Sequence, residues 1–219
     1  MSTDEAPTKG RVAKRQAILE ATRAVLAHTG YAGTSIDSIA HQAQVSTRTI
    51  YNHFGSKDDL VNQVLVESTT TVADALTELI DQHLDRIRGT ADLEDALVDL
   101  GCDWVRLQDR YADHFSLVRR LDAAGEQLPA DVYAAWHATG PERAQATLAR
   151  HLRLLRSEGL LSFADPERAA SHYIYLALGE ALAEARRGGV EAEPTAIAAL
   201  VRAGVHAFLH GHLPRPSAP

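Results

Sequence analysis

The stretch Thr34–Leu60 constrains the fold of this chain most, because it predicts two short helices joined by a tight turn. Thr34 has the side chain of an N-cap residue for the first helix, with Asp37 at the third helical position. Ser46 is the predicted N-cap of the second helix, Thr47–Asn52. Because only a few residues separate them, the two helices have no room to run antiparallel. They must cross steeply, which is helix-turn-helix geometry.

The polar face of the second helix suits a groove of DNA. Arg48 carries a guanidinium that can bond bidentately to guanine, a contact worth roughly 1–3 kcal/mol in base discrimination. Thr47 is placed to touch a base edge or a thymine methyl group. Tyr51, His53 and Lys57 offer donors to phosphate oxygens, which fix register rather than sequence. The alternative is a helical pair that packs against its neighbours and never touches DNA.

Positive charge is concentrated at the N-terminal end of the chain. Residues 8–57 hold seven Lys or Arg residues and two Asp or Glu residues, whereas the whole chain has a formal net charge of −7. All three lysines of the chain fall in this segment. An acidic protein with one basic end is expected to bind nucleic acid at that end. This asymmetry favours DNA binding over a purely structural helical pair.

The segment from roughly Lys9 to Leu60 resembles the DNA-binding domain of the TetR family of bacterial regulators. The positions that carry the resemblance are Gly30-Tyr31, Thr34-Ser35-Ile36, Ile39-Ala40, Val45-Ser46, Thr49-Ile50-Tyr51, His53-Phe54 and Ser56-Lys57. The resemblance implies that Arg48 and Thr47 read bases while the neighbouring polar residues hold phosphates. The DNA-contacting residues expected in this way are Thr34, Ser35, Ser46, Thr47, Arg48, Thr49, Tyr51, Asn52, His53 and Lys57.

One position departs from the family pattern. Gln44 stands where the family usually has glycine, in the turn between the two short helices. A residue other than glycine at positive φ costs on the order of 1–2 kcal/mol. The turn is therefore either strained or built with different dihedral angles.

Composition limits where a chain of this kind can work. At 219 residues it can form one large or two moderate domains with a full core. No apolar run approaches the ~20 residues of a membrane span, and the N-terminus lacks the apolar core of a secretory signal. Cys102 is the single cysteine, so no intramolecular disulfide is expected, which fits a reducing compartment. We therefore expect a cytoplasmic, nucleoid-associated protein with no membrane partner.

Helical periodicity runs through nearly the whole chain, so an all-α fold of about nine or ten helices is predicted. The expected division is a flexible arm at 1–9, a three-helix helix-turn-helix domain at 10–56, a helical-bundle domain for effector binding and dimerisation at 57–212, and a disordered tail at 213–219. The first helix is predicted at 10–28, with Gly30 in the C′ position. The helices expected after the helix-turn-helix are 56–84, 93–107, 111–121, 142–157, 165–187 and 194–210. Asp165 and Pro166 are the expected cap and first residue of one of them, and Gly188-Gly189 its end.

A homodimer is expected, because one short recognition helix contacts too few bases and two copies can read a palindrome. The family resemblance places the dimer interface on the last two helices. The residues predicted there are Tyr173, Ala177, Ala181, Ile197, Val201, Val205 and Phe208. The alternative is that these apolar stripes are buried inside their own subunit.

The resemblance also implies an unknown small-molecule effector that binds in the C-terminal domain. The middle helices hold an unusual share of aromatic and histidine residues, which fits a mostly apolar pocket with a few polar groups. The alternative is that these aromatic residues belong to the core, and for any single one of them the core is favoured. The predicted effector-binding residues are Trp104, Tyr111, His114, Phe115, Arg119, Trp136, His137 and Tyr173. If Arg119 and Arg120 point inward, they favour an anionic effector.

Other chemistries have weaker signals. His206, His210 and His212 are spaced for metal chelation on one helix, but helix-end histidines more often interact with the helix dipole, so no metal site or cofactor is expected. Cys102 is expected to pack rather than to sense redox state. No nucleophile elbow, phosphate-binding glycine loop or metalloprotease motif is present, so no enzymatic activity is expected.

The residues, together with the resemblance to the TetR family, therefore predict a repressor that binds a palindromic operator in double-stranded DNA as a homodimer, and the resemblance implies that an effector releases it. Two alternatives stay open. One is an architectural or cell-division factor of TetR type without an effector. The other is an activator, because the sign of regulation depends on where the operator lies.

Overall fold

The computed structural model describes residues 9–123, 129–187 and 193–213, and the regular elements in these ranges are all helical. The helices are α1 (Lys9–Gly33), α2 (Ile36–Gln42), α3 (Thr47–His53), α4 (Lys57–Leu84), α5 (Thr90–Arg110), α6 (Ala112–Ala123), α7 (Ala130–Thr139), α8 (Pro141–Ser157), α9 (Pro166–Tyr173), α10 (Gly179–Ala185) and α11 (Pro194–His212). A π-helical segment, Ile174–Leu178, joins α9 to α10. The all-α fold predicted from the sequence is confirmed.

The helix boundaries follow local sequence signals. Gly30 has φ 70° and interrupts α1, as the expected C′ residue, and a short helical stretch continues to Gly33. The Asp165 carboxylate accepts a hydrogen bond from the Arg168 amide at 3.0 Å, in front of Pro166 at the start of α9. α7 lies where no helix was expected. The predicted arm, the Gly188-Gly189 break and the predicted tail beyond Leu213 lie outside the described residues, except that Lys9 begins α1.

The chain divides into two compact units. The first comprises the residues up to Thr70 together with Ala112–Thr139, and the second comprises Thr71–Tyr111 together with the residues from Gly140 onward. α4 therefore contributes its N-terminal half to the first unit and its C-terminal half to the second. The expected boundary at residue 56 falls inside the first unit, so the functional division at 56 stays a prediction.

The core of the first unit joins the helix-turn-helix to α4, α6 and α7. Ile18 of α1, Ile39 of α2 and Ile50 of α3 are fully buried in one cluster. Leu117 of α6 and Val132 of α7 belong to the same cluster. A movement of α6 or α7 therefore acts directly on the core that supports the helix-turn-helix.

The second unit is packed around α11. Tyr173 is fully buried, its hydroxyl donates to the Leu97 carbonyl oxygen at 2.7 Å, and its ring meets Phe208 edge to face at 5.7 Å. Gly204 lies so close to the π-helical segment that a Cβ atom there would overlap the Leu176 carbonyl oxygen. α11 can approach that segment only because position 204 has no side chain.

Candidate nucleic-acid interface

The N-cap of α2 is Ser35, not Thr34 as predicted. The Ser35 hydroxyl accepts from the Ser38 amide at 3.1 Å, and the Ser38 hydroxyl accepts from the Ser35 amide at 3.2 Å, which is a reciprocal capping box. Thr34 is 3% exposed, and its hydroxyl donates to the Gly30 carbonyl oxygen at 2.5 Å. The Thr34 hydroxyl therefore holds the end of α1, and the geometry does not place it as a phosphate ligand.

The cap of α3 is the one predicted. The Ser46 hydroxyl accepts from the Thr49 amide at 3.1 Å and lies 2.8 Å from the Thr49 hydroxyl. Ile50 is fully buried and anchors the inner face of α3 in the core of the first unit. A short helix with one buried anchor and a fixed N-cap presents its remaining faces in a defined orientation.

The outer face of α3 consists of polar and aromatic side chains. Arg48, Tyr51 and Asn52 are exposed, and Tyr51 is 54% exposed despite its large apolar ring. In the ranges that the structure describes, Arg48 makes no ion pair or side-chain hydrogen bond. Thr47, Thr49 and His53 are half-buried along the edges of this face, and Ser35 and Ser46 are exposed at the starts of α2 and α3. A protruding helix with a guanidinium near its N-terminus is what major-groove readout requires.

Lys57 is engaged with α1 in the isolated chain. Its ammonium donates to the Tyr31 carbonyl oxygen at 2.8 Å and lies 4.3 Å from the centre of the Tyr31 ring. The Tyr31 hydroxyl donates to the Asp58 carboxylate, and burial together with this hydrogen bond raises the pKa of Tyr31 to about 12. The start of α4 is thus fastened to the end of α1. A phosphate contact by Lys57 would use the same ammonium group that contacts Tyr31, and this phosphate contact stays a prediction.

The turn between α2 and α3 has the strained conformation that was one of the two alternatives. Gln44 has φ 54°, and it is the one residue other than glycine with positive φ in the described ranges. Its amide donates to the His41 carbonyl oxygen at 3.2 Å, and the next amide, of Val45, donates to Ala40 at 3.0 Å. The tight turn is therefore formed with a side chain in the left-handed region.

The start of α1 adds positive charge that residue-by-residue motif reading missed. The pKa of His53 is lowered by partial burial and then by the positive charges of Arg11, Arg15 and Lys14. Arg15 also pairs with Glu67 of α4 at 3.3 Å, whereas Arg11 and Lys14 are exposed. The local excess of lysine and arginine was the sequence signal for these residues. They extend the basic surface from the C-terminal end of α3 to α1.

The residues predicted for effector binding are divided between the two units. His114, Phe115, Arg119, Trp136 and His137 belong to the first unit, and Trp104, Tyr111 and Tyr173 belong to the second. Tyr173 is a core residue, and Trp104 is 8% exposed on α5. Tyr111 lines a cavity of about 380 Å³ between α4 and α5, together with Arg106 and Arg110.

Within the first unit, the predicted residues form two groups. His114 is buried and meets Phe115 edge to face at 5.1 Å. On α7 the Trp136 and His137 rings contact Tyr133, at 5.6 and 5.8 Å respectively. Arg119 is exposed and donates to the Ser116 hydroxyl at 2.8 Å, so it does not point inward and gives no support for an anionic effector. The side chain of Arg120, the second arginine of that prediction, lies outside the described part of the structure.

The predicted dimer-interface residues are buried inside their own subunit, which was the alternative reading. Their side chains are between 0 and 7% exposed, and they are Tyr173, Ala177, Ala181, Ile197, Val201, Val205 and Phe208. This burial has a simple cause, because the most apolar stripe of each helix faces the intramolecular core. Two large apolar side chains of this region are exposed, Tyr175 at 77% and Leu176 at 46%, both in the π-helical segment.

Histidines and the cysteine give little support for metal or redox chemistry. The His206 and His210 rings lie 4.3 Å apart, and His212 pairs with His172 at 3.2 Å. Within the described ranges, no three His, Cys, Asp or Glu residues are grouped to hold a metal ion. Cys102 is buried beside a cavity of about 290 Å³, and burial raises the pKa of its thiol, which disfavours the reactive thiolate. No helix in those ranges is long and apolar enough to cross a membrane.

Comparison with known families decides what this architecture is. Residues 18–64 match the N-terminal model of the bacterial regulatory proteins of the tetR family, and residues 95–211 match the model described as the C-terminal domain of AefR-like transcriptional repressors. The second match alone covers more than half of the chain. The chain belongs to the TetR family. This family consists of transcriptional regulators rather than enzymes, and the helix-turn-helix of α2 and α3 is its DNA-binding element.

Individual relatives agree with this assignment. An HTH-type transcriptional repressor of Mycobacterium tuberculosis is 35% identical over 130 residues, which cover 57% of this chain and 66% of the relative. The LuxR regulator of Vibrio harveyi is 28% identical over 97 residues, covering 43% of this chain and 47% of LuxR. The matches thus span between about half and two thirds of these curated relatives.

Solved TetR-family structures match over nearly the whole chain. A transcriptional regulator from Mesorhizobium loti has a TM-score of 0.78 at 27% identity, covering 95% of this chain and all of that one. The flavonoid-responsive regulator FrrA has a TM-score of 0.71 at 27% identity, covering 93% of this chain and 98% of that one. Both units of the present chain therefore have counterparts in TetR regulators.

Proposed function

We propose that this TetR regulator is a cytoplasmic, nucleoid-associated repressor, which binds a palindromic operator as a homodimer and leaves it when a small molecule binds. The observation that carries the proposal is the outer face of α3, where exposed Arg48 follows the Ser46 cap with Thr47 beside it. In this proposal Arg48 and Thr47 contact bases. Ser35, Ser46, Thr49, Tyr51, Asn52, His53 and Lys57 contact the DNA backbone, and Arg11 and Lys14 extend that contact.

Substitution of Arg48 tests base reading directly. We expect Arg48→Ala to weaken binding to the operator by about 1–3 kcal/mol while leaving binding to random duplex DNA nearly unchanged, measured by fluorescence anisotropy. Arg153→Ala is the matched control, because Arg153 is an exposed arginine on α8, outside the proposed DNA-binding and dimer faces, and pairs with Glu167. Equal losses on operator and random DNA for Arg48→Ala would contradict the base-reading role.

The second part of the proposal is a dimer through the outer face of α9–α11. Tyr175 and Leu176 are exposed on the π-helical segment, and the exposed side of the neighbouring α11 includes four alanines. The exposed small residues there are Ala196, Ala199, Ala203 and Ala207. Small side chains allow close approach of a second copy, and the protruding tyrosine and leucine give it apolar surface to cover.

The mass in solution tests this interface. We expect the wild-type protein to have twice its chain mass of 23.7 kDa at micromolar concentration, by light scattering after size exclusion. Leu176→Glu is expected to give the monomer. Leu154→Glu is the matched control, because Leu154 is a leucine of similar exposure, 50%, on α8 outside this face. A monomeric wild type, or monomers from both variants, would argue against the interface.

Repression and release by an effector rest on the relatives. The C-terminal model is named for transcriptional repressors, and the M. tuberculosis relative is named a repressor. FrrA is named flavonoid-responsive, so flavonoids are the first compounds to try. We expect a flavonoid such as naringenin to reduce operator affinity, and an effector must favour the non-binding conformation by about 5.5 kcal/mol for a near-complete switch. An architectural protein would bind DNA equally well with and without every compound tested.

A further inference from the structure

A polar group without a partner is buried in the first unit. Thr69 of α4 is 2% exposed, and its hydroxyl has no hydrogen-bond partner among the residues that the structure describes. The next residue, Thr70, shows the usual solution, because its hydroxyl donates to the Val66 carbonyl oxygen at 2.8 Å. A second unpaired oxygen, Oδ1 of Asn62, lies two turns earlier on the same face of α4. A buried polar atom without a partner is destabilising, so its retention requires a reason.

His114 of α6 contacts Ser68, the residue that precedes Thr69 in α4. Its Nδ1 atom is 3.0 Å from the hydroxyl of Ser68, the neighbour of Thr69 in α4. Burial lowers the pKa of His114 to about 4, so the ring is neutral near pH 7. A neutral imidazole has one donor and one acceptor nitrogen, and no hydrogen bond is recorded for Nε2 within the described part of the chain. The ring therefore keeps one free position for a hydrogen bond.

The surroundings of Thr69 suit an uncharged molecule. Leu65 on α4 and Leu117 on α6 belong to the buried cluster of the first unit, and each is 1% exposed. Among the described residues, no lysine, arginine, aspartate or glutamate side chain is buried. A charged ligand that moved from water into this site would find no counter-ion there, which is strongly unfavourable.

We propose that Thr69, with His114 beside it, forms a binding site for a neutral, apolar molecule that carries a hydroxyl group. The ligand hydroxyl forms a hydrogen bond with the Thr69 hydroxyl. The His114 Nε2 atom forms a hydrogen bond with the same group or with a second polar group of the ligand. The site spans α4 and α6, which contribute Leu65 and Leu117 to the same core as the helix-turn-helix. This inference rests on the proposed effector function and names its ligand class.

Three probes of one shape test the ligand class by isothermal calorimetry on the full-length protein. 2-Naphthol carries the hydroxyl, naphthalene lacks it, and 2-naphthoate replaces it with a charge. We expect 2-naphthol to bind about tenfold more tightly than naphthalene, which is the effect of one buried hydrogen bond, and 2-naphthoate not to bind. Equal binding of 2-naphthol and 2-naphthoate, or no binding of 2-naphthol, would overturn the ligand class.

Thr69→Val removes the hydroxyl and keeps the shape of the side chain, and Thr70→Val is the matched control. For Thr69→Val we expect 2-naphthol affinity to fall about tenfold and the melting temperature without ligand to rise by about 2–4 °C, because the unpaired hydroxyl is gone. Thr70→Val should retain 2-naphthol affinity and not gain stability. A Thr69→Val protein that binds 2-naphthol like wild type, or melts lower than wild type, would refute the site.

His114→Asn gives a second, independent variant. An asparagine amide can replace Nδ1 towards Ser68 but not Nε2, so we expect weaker 2-naphthol binding with the Ser68 contact retained. Wild-type affinity in this variant would exclude His114 from the site. Operator binding without ligand, measured for each variant, separates the two proposals. Normal operator binding with no 2-naphthol binding refutes the ligand site alone. A wild-type protein that binds operator and random DNA equally well refutes the proposed regulator.

Discussion

The α2–α3 segment and the α9–α11 region differ in what determines their surfaces. In α2–α3, capping hydroxyls at Ser35 and Ser46 and one buried anchor, Ile50, fix which side chains point outward. In α9–α11, neighbouring helices bury their most apolar stripes against each other. The exposed face consists of the residues that this packing leaves uncovered. Local interactions thus define the DNA-binding surface, and tertiary packing defines the surface left for a partner.

The largest effect is expected where packing allows no side chain. We expect Gly204→Ala to lower the free energy of unfolding by more than about 3 kcal/mol, because its Cβ would overlap the backbone of Leu176. Gly179→Ala is the control, since a Cβ at that helical position meets nothing within 4 Å. It should be neutral or stabilising by about 0.5–1 kcal/mol. Chemical denaturation checks both variants, and equal stabilities would show that α11 can shift away from the π-helical segment.

A smaller effect is expected from the cap that fixes the recognition helix. Ser46→Ala should destabilise the protein by about 1 kcal/mol and weaken operator binding, because the Thr49 amide loses its partner. Ser157→Ala is the control, as that exposed serine donates only to the Leu154 carbonyl oxygen at the end of α8. If Ser46→Ala weakens operator binding no more than Ser157→Ala does, local capping does not govern the DNA-binding surface.

The strained turn gives an effect of opposite sign. Gln44→Gly is expected to stabilise the protein by up to about 1 kcal/mol, because glycine adopts φ 54° without the steric cost. Gln42→Gly, at the end of α2, should destabilise it instead, since glycine is unfavourable in a helix. Thermal unfolding of the two variants measures the difference. A loss of stability in Gln44→Gly would mean that the glutamine side chain compensates for the strain.

The smallest effect concerns pH. Positive neighbours and partial burial lower the pKa of His53, so the free protein holds this ring neutral near pH 7. A phosphate brought to Arg11 and Lys14 offsets that repulsion, so DNA binding takes up protons and operator affinity rises as pH falls from about 7.5 towards 6. His53→Gln should reduce this pH dependence, in titrations at constant salt. An identical pH dependence in wild type and His53→Gln would assign the effect to another group.

The sequence predicted the fold class, the Ser46 and Asp165 caps and the Gly30 break, because each depends on residues within four positions of one another. It misplaced the α2 cap by one residue, since Thr34 and Ser35 have equivalent hydroxyls and only burial distinguishes them. The inward or outward orientation of Arg119 and of the α9–α11 stripes depends on which helices pack together, and helical periodicity does not contain that information. The division of the predicted effector residues between two units has the same origin.

Sequence-specific binding by a dimer is the central claim, and selection from randomised duplex DNA tests it most directly. The purified protein would be incubated with the pool at two salt concentrations, and the bound DNA sequenced. The account predicts one palindromic motif that is enriched at both concentrations, with affinity decreasing as salt rises. Recovery of no motif, with binding that disappears at the higher salt concentration, would contradict it.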